Sequence, residues 1–246
     1  MSLPLFFIDH IDKSNTIILP QDTSKHCVQV LRMKEGEQLQ LTDGKGNLLT
    51  AKIINADRKH CTVNVEEERF QQSPARKISI AISLLKNASR FEWFLEKATE
   101  IGASEIIPLL CERTERQHFR FDRMNNILIS AMLQSQQTCL PVLHEPQLFE
   151  KIVSSSVYPQ KFIAHCETDK EKNNLASVVK QNQLQILIGP EGDFTKEEIE
   201  KAIQKNYQPV SLGDTRLRAE TACIIGVRIS GFRTCIRRRL SRLIWE

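Results

Sequence analysis

The sequence predicts an α/β protein whose carboxy-terminal domain has a mostly parallel sheet and whose amino-terminal segment forms a small β-barrel. Two apolar strand patterns, at residues 185–188 and 209–212, each end in a loop that contains a glycine, Gly189 and Gly213. A helix separates them, because Thr195 is followed three residues later by a glutamate, the spacing of a capping box. Parallel strands joined in this way deliver their loops to one edge of the sheet, where open α/β sheets bind ligands.

The amino-terminal segment contains short strand patterns and little helix. Residues 43–47 read Asp-Gly-Lys-Gly-Asn between two alternating runs, which indicates a β-hairpin. The two glycines indicate a turn rather than a phosphate-binding loop, because no third glycine or helix follows. Residues 23–32 have helical spacing, and strand patterns lie at residues 3–8, 16–19, 38–42, 48–54 and 61–65. This combination is typical of a small β-barrel.

A domain boundary is predicted at residues 66–77, which are polar, contain a proline and lack apolar periodicity. The boundary divides the chain into residues 1–72 and residues 73–246. Residues 78–85 then form an apolar run of the kind found in strands that are buried on both faces.

The next helix is predicted to begin at Ser89 as its N-cap, with Glu92 completing a capping box, and to end at Gly102. Residues 106–110 form the following strand, so that a strand–helix–strand unit begins the parallel sheet. Further helices are predicted at residues 124–137, 175–182 and 218–226, and a further strand at residues 162–165.

Composition favours a soluble globular protein of the cytoplasm. Charged residues make up 26% of the chain, and no apolar run has the length needed to cross a bilayer. The first residues lack the positively charged region with which a signal peptide begins, and the acidic Asp9 follows soon after the start. Seven cysteines without a C-x-x-C pair favour a reducing compartment and give no indication of a zinc site.

The net charge of +4 is concentrated in the last nineteen residues, which contain six arginines and one glutamate. A basic tail of this kind can gather phosphate backbone, although a solvated last helix has the same composition. A second arginine series, Arg113, Arg116, Arg120 and Arg123, precedes the helix at residues 124–137. These arginines are candidates for RNA phosphates, with pairing to nearby carboxylates as the alternative.

The two glycine loops are the strongest candidates for a binding site. Gly189, Gly192 and Gly213 allow backbone groups to approach a flat ligand closely, because no Cβ intervenes. Glu191, Arg218 and Glu220 add charge beside those backbone groups.

The pair of motifs that carries these loops, GPEGDF and SLGDTRLRAETA, resembles the signature of the SPOUT (trefoil-knot) RNA methyltransferases. Within that group the chain is most similar to the bacterial 16S ribosomal RNA uridine-N3 methyltransferase family. Lys-Ala-Thr-Glu-Ile-Gly at residues 97–102 matches the same family. One departure is Gln137, which stands where the family has arginine.

The resemblance implies a deep carboxy-terminal knot that binds S-adenosylmethionine, and an amino-terminal PUA-like RNA-binding barrel. It implies a homodimer that modifies 16S ribosomal RNA in the small subunit, without a metal or a membrane. The cofactor-binding residues that it implies are Ile188, Gly189, Glu191, Gly192, Ser211, Leu212, Gly213, Leu217, Thr221 and Ala222.

The resemblance implies His26 and Arg32 as RNA-binding residues, of which His26 is equally well explained as a structural histidine. Two further candidates are Lys86, at the end of the strand predicted at residues 78–85, and Arg113, from the arginine series. Methylation at N3 of uracil requires removal of an imide proton, and Arg218 is the candidate that stabilises the resulting anion. Glu220 either organises Arg218 or accepts the proton, so the identity of the base stays open.

Two other functions compete with this one. The closest is a knotted enzyme that methylates the ribose 2′-hydroxyl, and the other is a non-catalytic RNA-binding module. A Rossmann-type methyltransferase is disfavoured, because no strand is followed by G-x-G-x-x-G.

Overall fold

The computed structural model of the protein describes residues 3–11, 14–115, 117–167 and 172–231. The chain divides into two compact units that do not follow its linear order. The first unit comprises Met1–Ser73 together with Ile129–Leu140, and the second comprises Pro74–Leu128 and Pro141–Glu246. Residues 129–140 therefore belong with the first unit, although the sequence placed them in the carboxy-terminal domain.

The first unit is built on a sheet of five described strands: β1 (Leu5–Phe7), β2 (Thr16–Ile18), β3 (Gln38–Thr42), β4 (Asn47–Asn55) and β5 (Thr62–Phe70). Their order is β1-β3-β4-β5-β2, with β1 parallel to β3 and the other pairs antiparallel. Helix α1 (Gln21–Lys25) runs directly into a π-helix, His26–Val30. Leu39 and Leu41 alternate with polar residues on β3 and are fully buried in the core, as a half-buried strand predicts.

The boundary predicted at residues 66–77 begins too early. Strand β5 continues to Phe70, although the residues Glu66, Glu67 and Glu68 gave no strand pattern. The reason is strand pairing. Residues 67–70 of β5 pair with residues 47–50 of β4, from Asn47↔Phe70 to Thr50↔Glu67, and a register shift follows between Thr50 and Ala51. Backbone hydrogen bonds in such a ladder do not depend on apolar side chains.

The segment Ile129–Leu140 is held within the first unit by the loop at Gly44 and Gly46. The Gly46 amide donates to the Thr138 carbonyl at 2.9 Å, and the Leu140 amide donates to the Gly44 carbonyl at 2.7 Å. The turn predicted between β3 and β4 is confirmed by the antiparallel pairing of the two strands, which begins at Thr42↔Leu48.

The second unit contains a parallel sheet. Its described strands are β6 (Lys77–Ser83), β7 (Glu105–Leu110), β8 (Val142–Leu143), β9 (Gln147–Leu148), β10 (Gln160–Ala164), β11 (Asn173–Asn174), β12 (Gln183–Ile188) and β13 (Gln208–Ser211). The order is β11-β13-β10-β12-β6-β7-β8, with β9 also paired to β7, and every described pair is parallel. The central strands β6 and β12 are almost wholly buried, which explains why their sequences are largely apolar.

The remaining described helices are α2 (Ala88–Glu100), α3 (Phe121–Gln134), α4 (Phe149–Ser155), α5 (Leu175–Val178), α6 (Lys196–Gln204) and α7 (Ala219–Gly231). Helix α7 packs against α2, β6 and β12. It thus returns to elements from the start of the unit, and the predicted knot stays a prediction. Strands β8 and β9 and helix α4 were not predicted from the sequence.

Hydrogen bonds explain why α2 begins, and α5 ends, at a different residue from the one predicted. Helix α2 is capped by Asn87, whose Oδ1 accepts the Ser89 amide at 2.9 Å, so Ser89 is not the N-cap. Glu92 makes no capping box and instead binds Arg123. Helix α5 stops at Val178, because the amides of Lys180 and Gln181 donate to the Gln160 side chain, both at 2.8 Å.

The capping box of α6 is confirmed in both directions. Thr195 Oγ1 accepts the Glu198 amide at 3.2 Å, and Glu198 Oε2 accepts the Thr195 amide at 2.9 Å. None of the helices in the described ranges combines the length and apolar character that a bilayer span needs. Within the same ranges, histidine, cysteine and carboxylate side chains form no group of three or more placed to bind a metal ion.

Candidate functional site

The carboxyl ends of β10, β12 and β13 meet the start of α7 around a cleft of about 730 Å³. Parallel strands bring these ends to one edge, so three loops and one helix end converge there. Arg90, from the first turn of α2, also lines this cleft. We refer to it as the large cleft.

Most of the predicted cofactor-binding residues line the large cleft. These are Ile188, Gly189, Glu191, Ser211, Leu212, Gly213, Leu217 and Ala222. Gly192 and Thr221 are not among its lining residues. The Gly192 carbonyl instead accepts a hydrogen bond from Arg113 Nη1 at 2.7 Å. The structure brings together the two loops that the sequence paired, and the part each residue plays in binding stays a prediction.

The loop after β12 is fixed by its own hydrogen bonds. Asp193 has a left-handed backbone conformation, with φ of 64°, and its amide donates to the Pro190 carbonyl at 2.9 Å. Its carboxylate accepts the Cys166 amide at 2.7 Å and the Phe194 amide at 2.8 Å. One side chain therefore ties the loop after β12 to the end of β10. Asp193 was not among the predicted site residues.

Gly189 packs tightly within that loop. A Cβ at this position would lie 3.0 Å from the Phe194 backbone nitrogen, and Phe194 itself is buried. The need for glycine at Gly189 therefore comes from the protein's own packing, because real Cβ atoms seldom approach a neighbour so closely.

The loop after β13 presents the opposite case. Gly213 has φ of 142°, a conformation that residues with side chains seldom adopt, and a Cβ there would meet no protein atom within 4 Å. Ser211 Oγ donates to the Gly213 carbonyl at 2.8 Å and accepts the Gly213 amide at 3.2 Å. The loop thus exposes backbone to open space in the large cleft.

The large cleft contains a buried carboxylate, Glu220, whose side chain is only 8% exposed. Arg90 Nε lies 3.8 Å from Glu220 Oε1, close enough for an ion pair. Arg218 lines the same cleft. Sequence reasoning found Glu220 and Arg218 from one motif but missed Arg90, which lies on another helix 130 positions earlier and carries no local signal of this contact.

Other lining residues were also missed. His165 and Cys166 follow β10, and the Lys172 ammonium donates to the His165 carbonyl at 2.8 Å. The available signal was that His165 and Cys166 lie at the end of the strand predicted at residues 162–165.

The predicted RNA-binding residues lie in both units. Lys86 Nζ pairs with Glu115 at 2.8 Å, and this hydrogen bond raises the pKa of the lysine. The Lys86 amide donates to Glu191 Oε1 at 3.1 Å. In the first unit, His26 is exposed and its ring meets Phe6 edge-on, with 5.7 Å between centroids. Arg32 is exposed and has φ of 58°.

Of the other candidate arginines, some lie within the described residues and some do not. Arg123 pairs with Glu92 at 2.7 Å rather than with Asp122. Arg116 and the arginines of the tail after Gly231 lie outside the described residues. Gln137, at the position where arginine was expected, donates from its side-chain Nε2 to Ser135 Oγ at 2.9 Å.

Comparison with known proteins gives matches over both units. A family model described as an RNA methyltransferase domain matches residues 71–230, and one described as an RNA methyltransferase PUA domain matches residues 19–66. A Synechocystis protein named ribosomal RNA small subunit methyltransferase E is 34% identical over 214 residues, covering 84% of this chain and 70% of the relative.

Solved structures agree with these matches. A probable rRNA-methyltransferase from Porphyromonas gingivalis has a TM-score of 0.89 and 38% identity, with 96% of this chain and 100% of that chain covered. A methyltransferase from Legionella pneumophila, solved in complex with the cofactor SAM, has a TM-score of 0.84 and 27% identity over 94% of this chain and 97% of that chain.

The methyltransferase match covers more than half of the chain and includes both loops of the large cleft. The chain therefore belongs to the RNA methyltransferase family, with a PUA domain ahead of its methyltransferase domain.

Proposed function

We propose that the protein transfers the methyl group of S-adenosylmethionine to N3 of one uridine of 16S ribosomal RNA in the small ribosomal subunit. The observation that carries the proposal is the large cleft, in which two glycine loops converge beside Glu220, Arg90 and Arg218. The proposed location is the cytoplasm, where this substrate is found.

The large cleft fits S-adenosylmethionine in size and chemistry. Its volume of about 730 Å³ lies within the range typical of small-molecule sites. Ile188, Leu212 and Leu217 offer apolar surface, Gly213 presents bare backbone, and Glu191 offers negative charge. The cofactor reported with the Legionella protein supports the same assignment.

When bound, S-adenosylmethionine supplies an electrophilic methyl group. The chain must then hold uracil so that N3 is aligned with that group, remove the imide proton and stabilise the anion. Arg218 lines the cleft and is the candidate for the stabilising charge. Glu220 is buried and its Oε1 lies 3.8 Å from Arg90 Nε, so it is the candidate that organises the positive groups. The same carboxylate can receive a proton if uracil reaches it.

Binding of ribosomal RNA is assigned mainly to the amino-terminal unit, and methyl transfer to residues 73–246. The match to an RNA methyltransferase PUA domain at residues 19–66 supports this division. Arg32 lies within that match and is exposed, as a phosphate contact requires. Names of relatives that specify the ribosomal small subunit support the choice of substrate.

Arg32→Ala tests the division of labour. We expect weaker binding to small subunits and a slope of log affinity against log salt that is smaller by about one, since one phosphate contact is lost. The positive φ at this position is equally unfavourable for arginine and for alanine, so the substitution should change the stability of the fold little. Arg58→Ala, at another exposed arginine of the same unit, is the control and should leave the slope unchanged. An unchanged slope for Arg32→Ala would remove Arg32 from the RNA interface.

The decisive experiment is chemical. Purified protein is incubated with labelled S-adenosylmethionine and small subunits from cells that lack the protein, and the RNA is digested to nucleosides. We expect the label in N3-methyluridine. Label in 2′-O-methylated nucleosides, or in no nucleoside, would overturn the proposal in favour of ribose methylation or of a non-catalytic module.

A further inference from the structure

A second cleft, of about 210 Å³, lies beside the first turn of α2 and is here called the small cleft. Its floor is apolar and includes the buried side chains of Leu85, Phe91 and Met124. One wall is the half-buried ring of Phe119, and the rim carries His118 and Arg120. None of these residues belongs to the large cleft, and the proposed reaction assigns no role to the small cleft.

Aromatic packing holds the Phe119 ring in place. Its centroid lies 6.1 Å from that of buried Phe91 with the ring planes at 87°, and 6.4 Å from that of Phe121 at 64°. Phe91 is itself anchored on Phe94 at 5.8 Å. Edge-to-face contacts of this kind fix the orientation of a ring, so Phe119 presents a rigid aromatic wall to the small cleft.

The rim of the small cleft is positively charged. Its carboxylate, Glu92, is neutralised by Arg123, which donates to both of its oxygens at 2.7 and 2.9 Å. Arg120 Nε donates to His118 Nε2 at 3.3 Å, so a second guanidinium lies at the rim of the small cleft. An apolar floor, an aromatic wall and a cationic rim together match a nucleotide, with its flat base and its phosphate.

The small cleft lies next to the large cleft along the chain in two places. On α2, Arg90 lines the large cleft and the next residue, Phe91, lines the small one. At the end of β6, Leu85 lines the small cleft, and the amide of the following Lys86 donates to Glu191 of the large cleft. Adjacent residues of α2, and adjacent residues after β6, thus contribute to the two clefts, so the clefts are neighbours within the second unit.

We propose that the small cleft binds a nucleobase that flanks the methylated nucleotide, with the base stacked on Phe119 and its phosphate facing Arg120. This inference rests on the proposed function. A volume of about 210 Å³ is roughly seven times the share of one water molecule in the liquid, ~30 Å³, which is enough for a planar ring system. Because stacking is tolerant of base identity, the small cleft positions the RNA without reading its sequence.

Variants of Phe119 test the stacking. We expect Phe119→Ala and Phe119→Leu to raise the KM for small subunits on the order of ten-fold, the usual effect of losing one base–aromatic stack. Phe119→Tyr should stay near wild type, because it keeps the aromatic face. The affinity for S-adenosylmethionine should be unchanged in all three. Trp93→Leu, at an exposed aromatic side chain of α2 outside both clefts, is the control.

A leucine variant with wild-type KM would overturn the proposal, because an apolar wall without a ring would then suffice. So would an equal loss of cofactor affinity in the alanine and leucine variants, since that would indicate a structural role for Phe119.

Direct cross-linking provides the second measurement. Complexes of wild-type protein with small subunits are irradiated at short ultraviolet wavelength, digested, and searched by mass spectrometry for peptides that carry a nucleotide. We expect an adduct on the peptide that contains Phe119. Absence of that adduct, with adducts elsewhere on the protein, would contradict the base subsite. Wild-type methyl transfer is measured on the same particles, so failure of the proposed function is seen separately from failure of the subsite.

Discussion

Single residues shape the large cleft in different ways, and the two glycines of its paired loops show the difference. Gly189 is required by the protein's own packing against Phe194, whereas Gly213 faces space that no protein atom occupies. Substitution at Gly189 therefore disturbs the loop itself. Substitution at Gly213 places a side chain where the proposed cofactor binds, so Gly213 is the better position for testing ligand binding.

Gly213→Val should lower the affinity for S-adenosylmethionine by at least about ten-fold, because Gly213 lines the large cleft and valine adds bulk to that lining. Gly102→Val is a matched control, since Gly102 also has a positive φ, of 89°, and an open surrounding within 4 Å. Both variants should lose stability of order 1–3 kcal/mol from backbone strain. Calorimetric titration and urea unfolding separate the two effects. Equal cofactor affinity in Gly213→Val and Gly102→Val would rule out the proposed contact.

The reactivity of Cys166, which lines the large cleft, can be used to detect a bound ligand there. Cys166 is exposed and lines it, whereas burial raises the pKa of both Cys27 and Cys111 to about 12. Burial also raises the pKa of Cys223 well above its usual value, with the nearby Glu220 carboxylate as a smaller cause. At about pH 8 the buried thiols stay protonated and covered, and therefore react slowly.

We expect iodoacetamide to label Cys166 ahead of the buried thiols and saturating S-adenosylmethionine to slow that labelling. Cys139 is half-buried and lies in the other unit, so it serves as an internal control whose rate should not change. Mass spectrometry of the labelled peptides gives both rates from one sample. Labelling of Cys166 at the same rate with and without the cofactor would place the cofactor away from the end of β10.

At the scale of elements, hydrogen bonds at the ends of helices explain which boundaries could be predicted. Thr195 and Glu198 form a reciprocal capping box at α6, and both partners lie within four residues. At α2 two polar residues compete, and Asn87 rather than Ser89 takes the N-cap position. The glutamate that would have completed a box with Ser89 is bound by Arg123, an interaction across 31 positions.

Thr195→Ala should reduce the free energy of unfolding by ~1 kcal/mol, the usual cost of losing an N-cap side chain. Ser89→Ala should have little effect, because Ser89 is exposed and contributes its backbone amide rather than its side chain to the cap. Urea unfolding monitored by circular dichroism measures both. A larger loss for Ser89→Ala than for Thr195→Ala would contradict the capping assignment.

At the scale of the whole molecule, each of the two compact units is formed by two separate segments of the chain. Thr138 and Leu140 hydrogen bond to the loop at Gly44 and Gly46, although more than ninety positions separate them. A truncation at residue 72 therefore leaves residues 129–140 without these partners. Point variants, such as Arg32→Ala, separate RNA binding from methyl transfer more cleanly than deletion of the first unit.

We expect the working form to be a homodimer that uses the surface around residues 222–229. Ile224, Ile225 and Ile229 on α7 are only half-buried in one chain, so a second copy can cover them. Light scattering should give about twice the 28.3 kDa mass of the chain. Ile225→Arg should yield monomers with reduced methyl transfer, whereas Val157→Arg, at a 92% exposed side chain elsewhere, should stay dimeric. A fully active wild-type monomer would contradict this prediction.

The sequence by itself determined the features that are encoded within a few residues. It predicted the parallel strands β12 and β13, the glycine loops after them, the capping box of α6 and the hairpin between β3 and β4. Each depends on apolar periodicity, on a cap, or on a turn, and these act between near neighbours in the chain. The parallel arrangement then placed both loops at one edge before any contact was known.

Tertiary structure decided what depends on groups that are distant in sequence. The Arg90–Glu220 pair, the extension of β5 by its ladder with β4, and the attachment of residues 129–140 to the first unit all join separate segments. The small cleft is a further case, because Phe91 and Phe119 meet only when α2 and the segment before α3 pack together. Such contacts gain their free energy from burial and pairing in the folded chain, and no local pattern in the sequence records which partners will meet.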